Sequence, residues 1–435
     1  MKLIIHKFPP ITQRCEIDLS KKLTLFVGHN NSGKTYISQL IWGLEKTKIL
    51  LSDCIIQDFV DDIKTKNFTI DINKNLLIKL SKLFTEKTSK NIKEVFKKDI
   101  ECDFELEINT AFFKNISYIP YESNNINIIK RTNSTLLDIE LYDSNTELSE
   151  INTTIEFYIF IMLRNSFRRH SLFLPSSRLF LPSFYKYIFN TEKDFKDSMY
   201  NNLDNITKDN KKFYAPSYTQ PVDDLIKKLI FSMDRPLEHN IYLDKLSDII
   251  EGNISVDRAE EIGMGDISYN HKSGENIPMY LSSSMVNQLS TLYLYFKYWY
   301  DDNSFLIIDE PEMNLHPSKK IEVMELLMHF ASKNKLLMAT HSATIAKSLI
   351  NYMHLFDLKE KNKDTKVFVE ENELKMDTDI ALSSNDIGIY YFNGKTIIPY
   401  KKDNDSDIHF GTFTEVEKLQ NKQFEYLMDE LEDYE

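Results

Sequence analysis

The chain has 435 residues, 42% apolar and 12% aromatic, enough for at least one sizeable core and, at this length, two or three structural units. Its 53 lysines and arginines against 66 aspartates and glutamates leave a formal net charge of −13, which excludes a wholly basic nucleic-acid wrapper but not a local basic surface. Cys15, Cys54 and Cys102 stand far apart, which excludes a disulfide framework and any zinc-type Cys/His spacing, and suggests a reducing cytoplasm.

The opening MKLIIHKFPP has a three-residue apolar run before a charge and two prolines, too short for a signal-peptide hydrophobic region. Short strands are expected at Leu3–Ile5 and Cys15–Leu19, and a fully buried strand at Leu23–Val27. A helix should follow from Lys34 to about Lys48, with Ile37, Leu40, Ile41 and Leu44 on one face.

From residue 51 to 168 lysine, asparagine and isoleucine become abundant. Helical patterning covers Leu76–Phe96, strand-like pieces fall at Phe104–Ile108 and Leu136–Leu141, and helical periodicity returns at Ile155–Phe167. The most apolar stretch, Ile155–Leu163, contains Glu156 and ends at Arg164, short of the roughly 20 residues of a membrane span. The apolar Ser171–Leu174 runs into Pro175-Ser176-Ser177-Arg178, and helices are expected at Val222–Met233 and Ile241–Ile250.

Beyond residue 265 compact α/β patterning returns. A hairpin turns at His271-Lys272-Ser273-Gly274, and a long helix is expected over Ser283–Tyr300. Buried strands are expected at Phe305–Ile308 and Lys335–Ala339, with a helix at Pro317–Ser332 between them. No internal repeat is visible, and the chain closes on the acidic Asp429, Glu430, Glu432, Asp433 and Glu435.

Four motifs carry chemistry. Gly28-His29-Asn30-Asn31-Ser32-Gly33-Lys34-Thr35 fits GxxxxGK[ST] between a buried strand and a helix, the setting of a phosphate-binding loop. Its glycines let successive N–H groups face phosphate oxygens, the helix N-terminus adds its dipole, and Lys34 and Thr35 suit phosphate and Mg²⁺. Two of the chain's 10 glycines sit here. In Phe305–Glu312 an apolar strand ends in two carboxylates at the sheet's carboxyl edge, where α/β sites assemble. Asp309 suits Mg²⁺ and Glu310 suits an attacking water, whereas the bland reading makes the pair a helix cap before Pro311. His341, in Thr340-His341-Ser342 after the next strand, can reach a γ-phosphate. Leu281-Ser282-Ser283-Ser284-Met285 opens the helix before the acidic strand and by itself is a good N-cap.

Taken in this order, the phosphate loop, LSSSM, LIIDEPEMNLHP and ATHSA resemble the ABC/SMC-type ATPase heads of prokaryotic anti-phage defence proteins. The kinship is with OLD-family ATPases and the ATPase subunits of the Septu and PARIS systems, in which a small-residue SS stands where transporter signatures have GG. FLPSSR at Phe173–Arg178 and the ending NDIGIYYF…FTEVEKL extend the likeness to about half the chain.

The resemblance implies an α/β P-loop NTPase of ABC-head type, formed by 1–50, 169–184 and 261–435, with mainly helical insertions at 51–168 and 185–260. It implies ATP and Mg²⁺ as cofactors, with residues Gly28 to Thr35 on the nucleotide, Lys34 on the β/γ-phosphates, and Thr35 and Asp309 on the metal. Glu310 would polarise water, His341 would contact the γ-phosphate, and Ser282 or Ser283 would act in trans in a homodimer or larger assembly. Arg178 is either near the place of the glutamine loop of ABC ATPases or part of a structural turn. The implied partners are a separate effector, a Toprim or HNH nuclease, and a DNA or phage-protein trigger, with no membrane.

With fewer than a hundred residues following His341, the C-terminal Toprim domain of OLD nucleases is not expected here, and Asp377-Thr378-Asp379 is a DxD pattern expected to lack that domain around it. Two basic features stand out: Lys79, Lys82, Lys87, Lys90, Lys93, Lys97 and Lys98 on one helical segment, and Arg164, Arg168 and Arg169. Such runs are usually solvated faces. Two alternatives stay open: a RecF/SMC-like DNA repair ATPase that uses the lysine helix on DNA, and a self-contained toxin with a site in 51–260.

Overall fold

The computed structural model describes residues 1–47, 65–116, 120–123, 125–143, 146–166, 171–188, 190, 218–233, 236–237, 240–257, 265–361, 363–401, 422–423 and 426. The acidic C-terminal end, Cys54, Arg168 and Arg169 lie outside them.

Lys2–Lys7 (β1) and Cys15–Asp18 (β2) form an antiparallel pair, and Leu23–Gly28 (β3) is buried at every position. Continuous burial needs neighbours on both edges and both faces. Beside β3 lie Lys335–Thr340 (β14) and Ile387–Phe392 (β15), both parallel to it. Phe305–Asp309 (β13) and Ser171–Leu174 (β9) extend the sheet beyond β14, also parallel, and Ile397–Pro399 (β16) closes the other edge antiparallel. The order is β16-β15-β3-β14-β13-β9.

This six-stranded sheet separates two hydrophobic cores by strict alternation. Leu306 and Ile308 of β13 and Leu336 and Met338 of β14 face one core, with helices Gln220–Phe231, Ile241–Ile250, Ser284–Leu294, Pro317–Lys333 and Ala343–Glu360. Phe305, Ile307, Leu337 and Ala339 face the other, with helix Lys34–Lys46.

The second core also takes in strands from 51–168, beside that segment's helices. Asn67–Asp71 (β4), Tyr121–Glu122 (β6), Ile126–Lys130 (β7) and Leu136–Leu141 (β8) form an antiparallel four-stranded sheet, order β4-β8-β7-β6. Asp103–Glu107 (β5) leaves that segment to pair with β1. Its burial alternates, Phe104 and Leu106 in and Asp103, Glu105 and Glu107 out, the period-2 pattern of a half-buried strand. Helices Lys74–Phe96 and Leu148–Ser166 complete the layer.

On the far side Gly252–Asp257 (β10), Asp266–His271 (β11) and Asn276–Pro278 (β12) form an antiparallel sheet, and the Gly274 N–H to His271 carbonyl bond (2.9 Å) closes the expected hairpin turn. The helix expected over 283–300 is α-helical only through Leu294. Tyr295–Trp299 widens to a π-turn, closed by Tyr300 N–H on the Tyr295 carbonyl at 2.8 Å. Among the described residues no helix is long and apolar enough to cross a membrane.

Candidate active site

The carboxyl ends of β3, β13 and β14 bring the phosphate loop, the acidic pair and His341 to one edge. Gly28 ends β3 where a Cβ would meet the Phe392 carbonyl oxygen at 2.3 Å, so only glycine fits against β15. Gly33, at φ 100, caps helix Lys34–Lys46 in a left-handed conformation, and a Cβ there would stand 2.7 Å from Pro10 Cδ. Between them His29, Asn30 and Asn31 are exposed and Ser32 is buried. Lys34 is buried and its Nζ donates to the carbonyls of Gly28 and His29, each at 2.8 Å. Burial lowers its pKa, against the pull of Glu310, Asp309 and Glu312.

Thr35 Oγ1 donates to Asp309 Oδ2 at 2.8 Å, tying the loop's helix to β13. Burial raises the Asp309 carboxyl to about 6, opposed by the Thr35 bond. Glu310 follows in a left-handed backbone, φ 51, with its N–H on the Ala339 carbonyl at 2.8 Å. Its carboxylate makes a very short contact with His341 Nδ1. Burial would raise Glu310, but His341, Glu312 and Lys34 together hold the carboxyl low, while the Glu310 contact raises the His341 imidazole.

Residues 1–346 match the family described as AAA ATPase domain. The chain belongs to that family. Three solved structures are similar to this AAA ATPase domain protein. The SMC head domain from Thermotoga maritima shares 13% identity over 92% of this chain and 98% of its own, at a TM-score of 0.30. The Smc head of Pyrococcus furiosus with an extended coiled coil, bound to the C-terminal domain of ScpA, shares 10% over 96% and 98%, at 0.34. An SmcHead bound to the C-winged helix domain of ScpA shares 12% over 94% and 99%, at 0.36. No curated protein sequence matches the chain.

For an ATPase the polar groups at this edge are chemically apt. Ser32 Oγ and Asp309 Oδ1 are buried without a hydrogen-bond partner among the described residues, and the other Asp309 oxygen accepts from the Thr35 hydroxyl. Hydroxyl and carboxylate oxygens are what a hard cation such as Mg²⁺ accepts, so the donor set fits a nucleotide–Mg²⁺ pair. Glu310, Glu312 and His341 also each bring a ligating atom within 4.8 Å of the others. There the Glu310–His341 ion pair already joins two of the three.

Arg178 lies in the short 3-10 turn Ser176–Phe180. It is buried beneath the acidic turn and donates to the carbonyls of Asp309 (2.5 Å), Glu310 (2.9 Å), Pro175 (2.9 Å) and Gln288 (3.3 Å). Gln288 Nε2 adds a bond to the Glu310 carbonyl at 3.3 Å. Desolvation lowers the guanidinium to about 10, and its task here is to hold backbone carbonyls.

Ser283 caps helix Ser284–Leu294 through the Val286 N–H at 3.3 Å, and Ser282 Oγ donates to the Met279 carbonyl at 2.8 Å while accepting from Asn287 Nδ2 at 2.8 Å. Within one chain both serines therefore bond inside their own loop. Ser283 is exposed, as are the flanking Tyr280 and Leu281.

Asp377 of the DxD pattern accepts from His329 Nε2 (2.6 Å) and Lys245 (3.0 Å), and Asp379 pairs with Lys366 (2.9 Å), so the two aspartates serve separate ion pairs. On helix Lys74–Phe96, Leu77, Leu80, Phe84 and Ile92 are buried and Lys79, Lys82, Lys90 and Lys93 exposed. Lys93 pairs with Asp99 and Lys97 with Glu94. Sequence reasoning missed the roles of Glu312 and Gln288. Glu312 stood inside the quoted acidic motif, whereas nothing marked Gln288 four residues after the helix start.

Proposed function

We propose that this chain is an ATP-hydrolysing ABC-type ATPase that works as an ATP-closed dimer and governs a separate effector in anti-phage defence. The observation that carries the catalytic part is the convergence of Lys34, Thr35, Asp309, Glu310 and His341 on one sheet edge, joined by the Thr35–Asp309 and Glu310–His341 contacts. Lys34 and the loop N–H groups would hold the β/γ-phosphates, and Thr35 and Asp309 the metal. Bound Mg²⁺ supplies charge neutralisation to the phosphates. Glu310 would orient and deprotonate the attacking water, and His341, shared between Glu310 and solvent, would contact the γ-phosphate.

The dimer reading rests on the serine loop: Ser283 lies exposed at a helix N-terminus, and there it would meet a phosphate held by a second copy. The defence reading rests on the motif resemblance, which implies a Toprim or HNH nuclease as effector and a DNA or phage-protein trigger.

The test is solution mass and turnover of wild type, Lys34→Ala and Glu310→Gln, with and without ATP and Mg²⁺. Lys34→Ala should lose about 10- to 100-fold in ATP affinity, the worth of a charge-assisted phosphate bond. Glu310→Gln should keep ATP, lose on the order of 100-fold or more in kcat, and accumulate as dimer. A mass that ignores ATP would sink the sandwich, and hydrolysis that rises with added DNA would favour the repair-type reading.

A further inference from the structure

Beside Glu310 lies a second carboxyl for which the hydrolytic scheme above has no use. Glu312 is 3% exposed, in the turn that follows β13. A buried carboxyl is costly unless its surroundings use it.

Its attachment is unambiguous in direction. The Ser342 N–H donates to Thr340 Oγ1 at 2.9 Å, so the Thr340 hydroxyl hydrogen is free for Glu312 Oε1, to which it makes a very short bond. Thr340 and Ser342 flank His341, so the segment that carries the histidine also anchors Glu312. Glu312 Oε1 stands 4.0 Å from His341 Nδ1, and Glu312, Glu310 and His341 lie within mutual reach of 4.8 Å. The other oxygen, Oε2, has no hydrogen-bond partner among the described residues.

Two carboxyls this close do not both ionise cheaply. Burial, then the neighbouring Glu310 carboxylate, push Glu312 up to about 7, while His341, Glu312 and Lys34 lower the Glu310 carboxyl against its own burial. Charged groups facing the pair are His341, Lys34, Asp309 and Arg178. Protonated, Glu312 would present a hydrogen-bond donor to Glu310, which lies within 4.8 Å.

We infer that Glu312 is a positioning residue: anchored by Thr340, it fixes the orientation of the Glu310 carboxylate and its His341 partner toward the reacting water. It touches neither nucleotide nor water and acts only through Glu310. The inference rests on the hydrolytic reading of the site. Misplacing a catalytic group by about 1 Å costs up to about 100-fold in rate.

The experiment compares kcat, KM and the affinity for a fluorescent ATP analogue in the full chain for wild type, Glu312→Ala, Glu312→Gln and Thr340→Val. Glu312→Ala should lose about 10- to 100-fold in kcat with analogue affinity within about twofold of wild type, because binding does not use Glu312. Glu312→Gln keeps an acceptor for Thr340 and a donor for Glu310, and should recover about a third or more of the wild-type kcat. Thr340→Val, of nearly the same volume, should lose about 3- to 10-fold in kcat and carries the test if Glu312→Ala does not fold. Wild-type turnover in Glu312→Ala or Thr340→Val would overturn the proposal, as would Glu312→Gln failing as badly as Glu312→Ala. Loss of analogue affinity in step with kcat would make Glu312 a structural strut and overturn it too. A wild type without turnover would overturn the hydrolytic reading and this inference together, a result distinct from a hydrolysing wild type that Glu312→Ala matches.

Discussion

At Glu310 the backbone sits at φ 51, a conformation that costs a non-glycine residue on the order of 1–3 kcal/mol. Arg178 and Gln288 both bind its carbonyl, and the Ala339 carbonyl takes its N–H, so the surroundings impose the turn. Arg178→Ala strips a buried donor from four carbonyls and should cost on the order of 3 kcal/mol or more, read from urea unfolding. Arg178→Lys restores the charge without the planar fork and should recover only part of it. A second residue-scale expectation concerns pH. Burial would raise the Asp377 carboxyl, but His329, the Asp379 N–H and Lys245 together hold it at about 2. An acid with a lowered folded-state pKa adds stability above its unfolded value near 4, and loses it as pH falls toward 2. Asp377→Asn should therefore be less stable than wild type by about 2 kcal/mol at pH 7, and that gap should close between pH 4 and pH 2. A gap that persists at pH 2 would mean the loss is packing and not charge.

Among the elements, β13 places one residue set in each core. Leu306 and Ile307 are both fully buried, on opposite faces. Leu306→Ala and Ile307→Ala should each cost about 2–5 kcal/mol, and since they face different cores the double substitution should be close to additive. Strong coupling between them would show that the two cores yield as one. The phosphate loop depends on helix Lys34–Lys46 starting from a left-handed Gly33, so Gly33→Ala strains the backbone and presses on Pro10. Its effect should appear first as lost nucleotide binding, since the loop N–H groups turn with it.

The described residues build a mainly parallel sheet with the candidate site at its carboxyl edge and a layer on each face. Helices from the second half of the chain and the sheet β10-β11-β12 cover one face, and two further sheets and their helices cover the other. Because the nucleotide would bridge β3, β13 and β14, its binding should stabilise the entire sheet. At about 100 times its dissociation constant ATP should add about 2.7 kcal/mol, seen as a rise in Tm, and Lys34→Ala should lose that rise. A Tm unaffected by ATP in wild type would place the phosphate loop outside any working site.

Much of the sheet was legible because buried parallel strands are short continuous apolar runs: Leu23–Val27, Phe305–Ile308 and Lys335–Ala339 lie within observed strands. The candidate site was legible for a related reason. A glycine-bounded loop before a helix, and acids or a histidine directly after such strands, are local patterns whose place at the sheet edge follows from strand direction. The segment 67–141 was not legible as a sheet, since its alternating strands are short and interleaved with helix Lys74–Phe96, and β5 finds its partner 96 or more residues earlier in β1. Pairing across that distance is a tertiary choice. So are the clamp of Arg178 and Gln288 on the Glu310 carbonyl, and the bond from Thr340 to Glu312: residues far apart in the chain meet only because β9, β13 and β14 run side by side. The chain's local patterns determined which residues could handle phosphate and water. The packing of those strands decided which other side chains hold them in place.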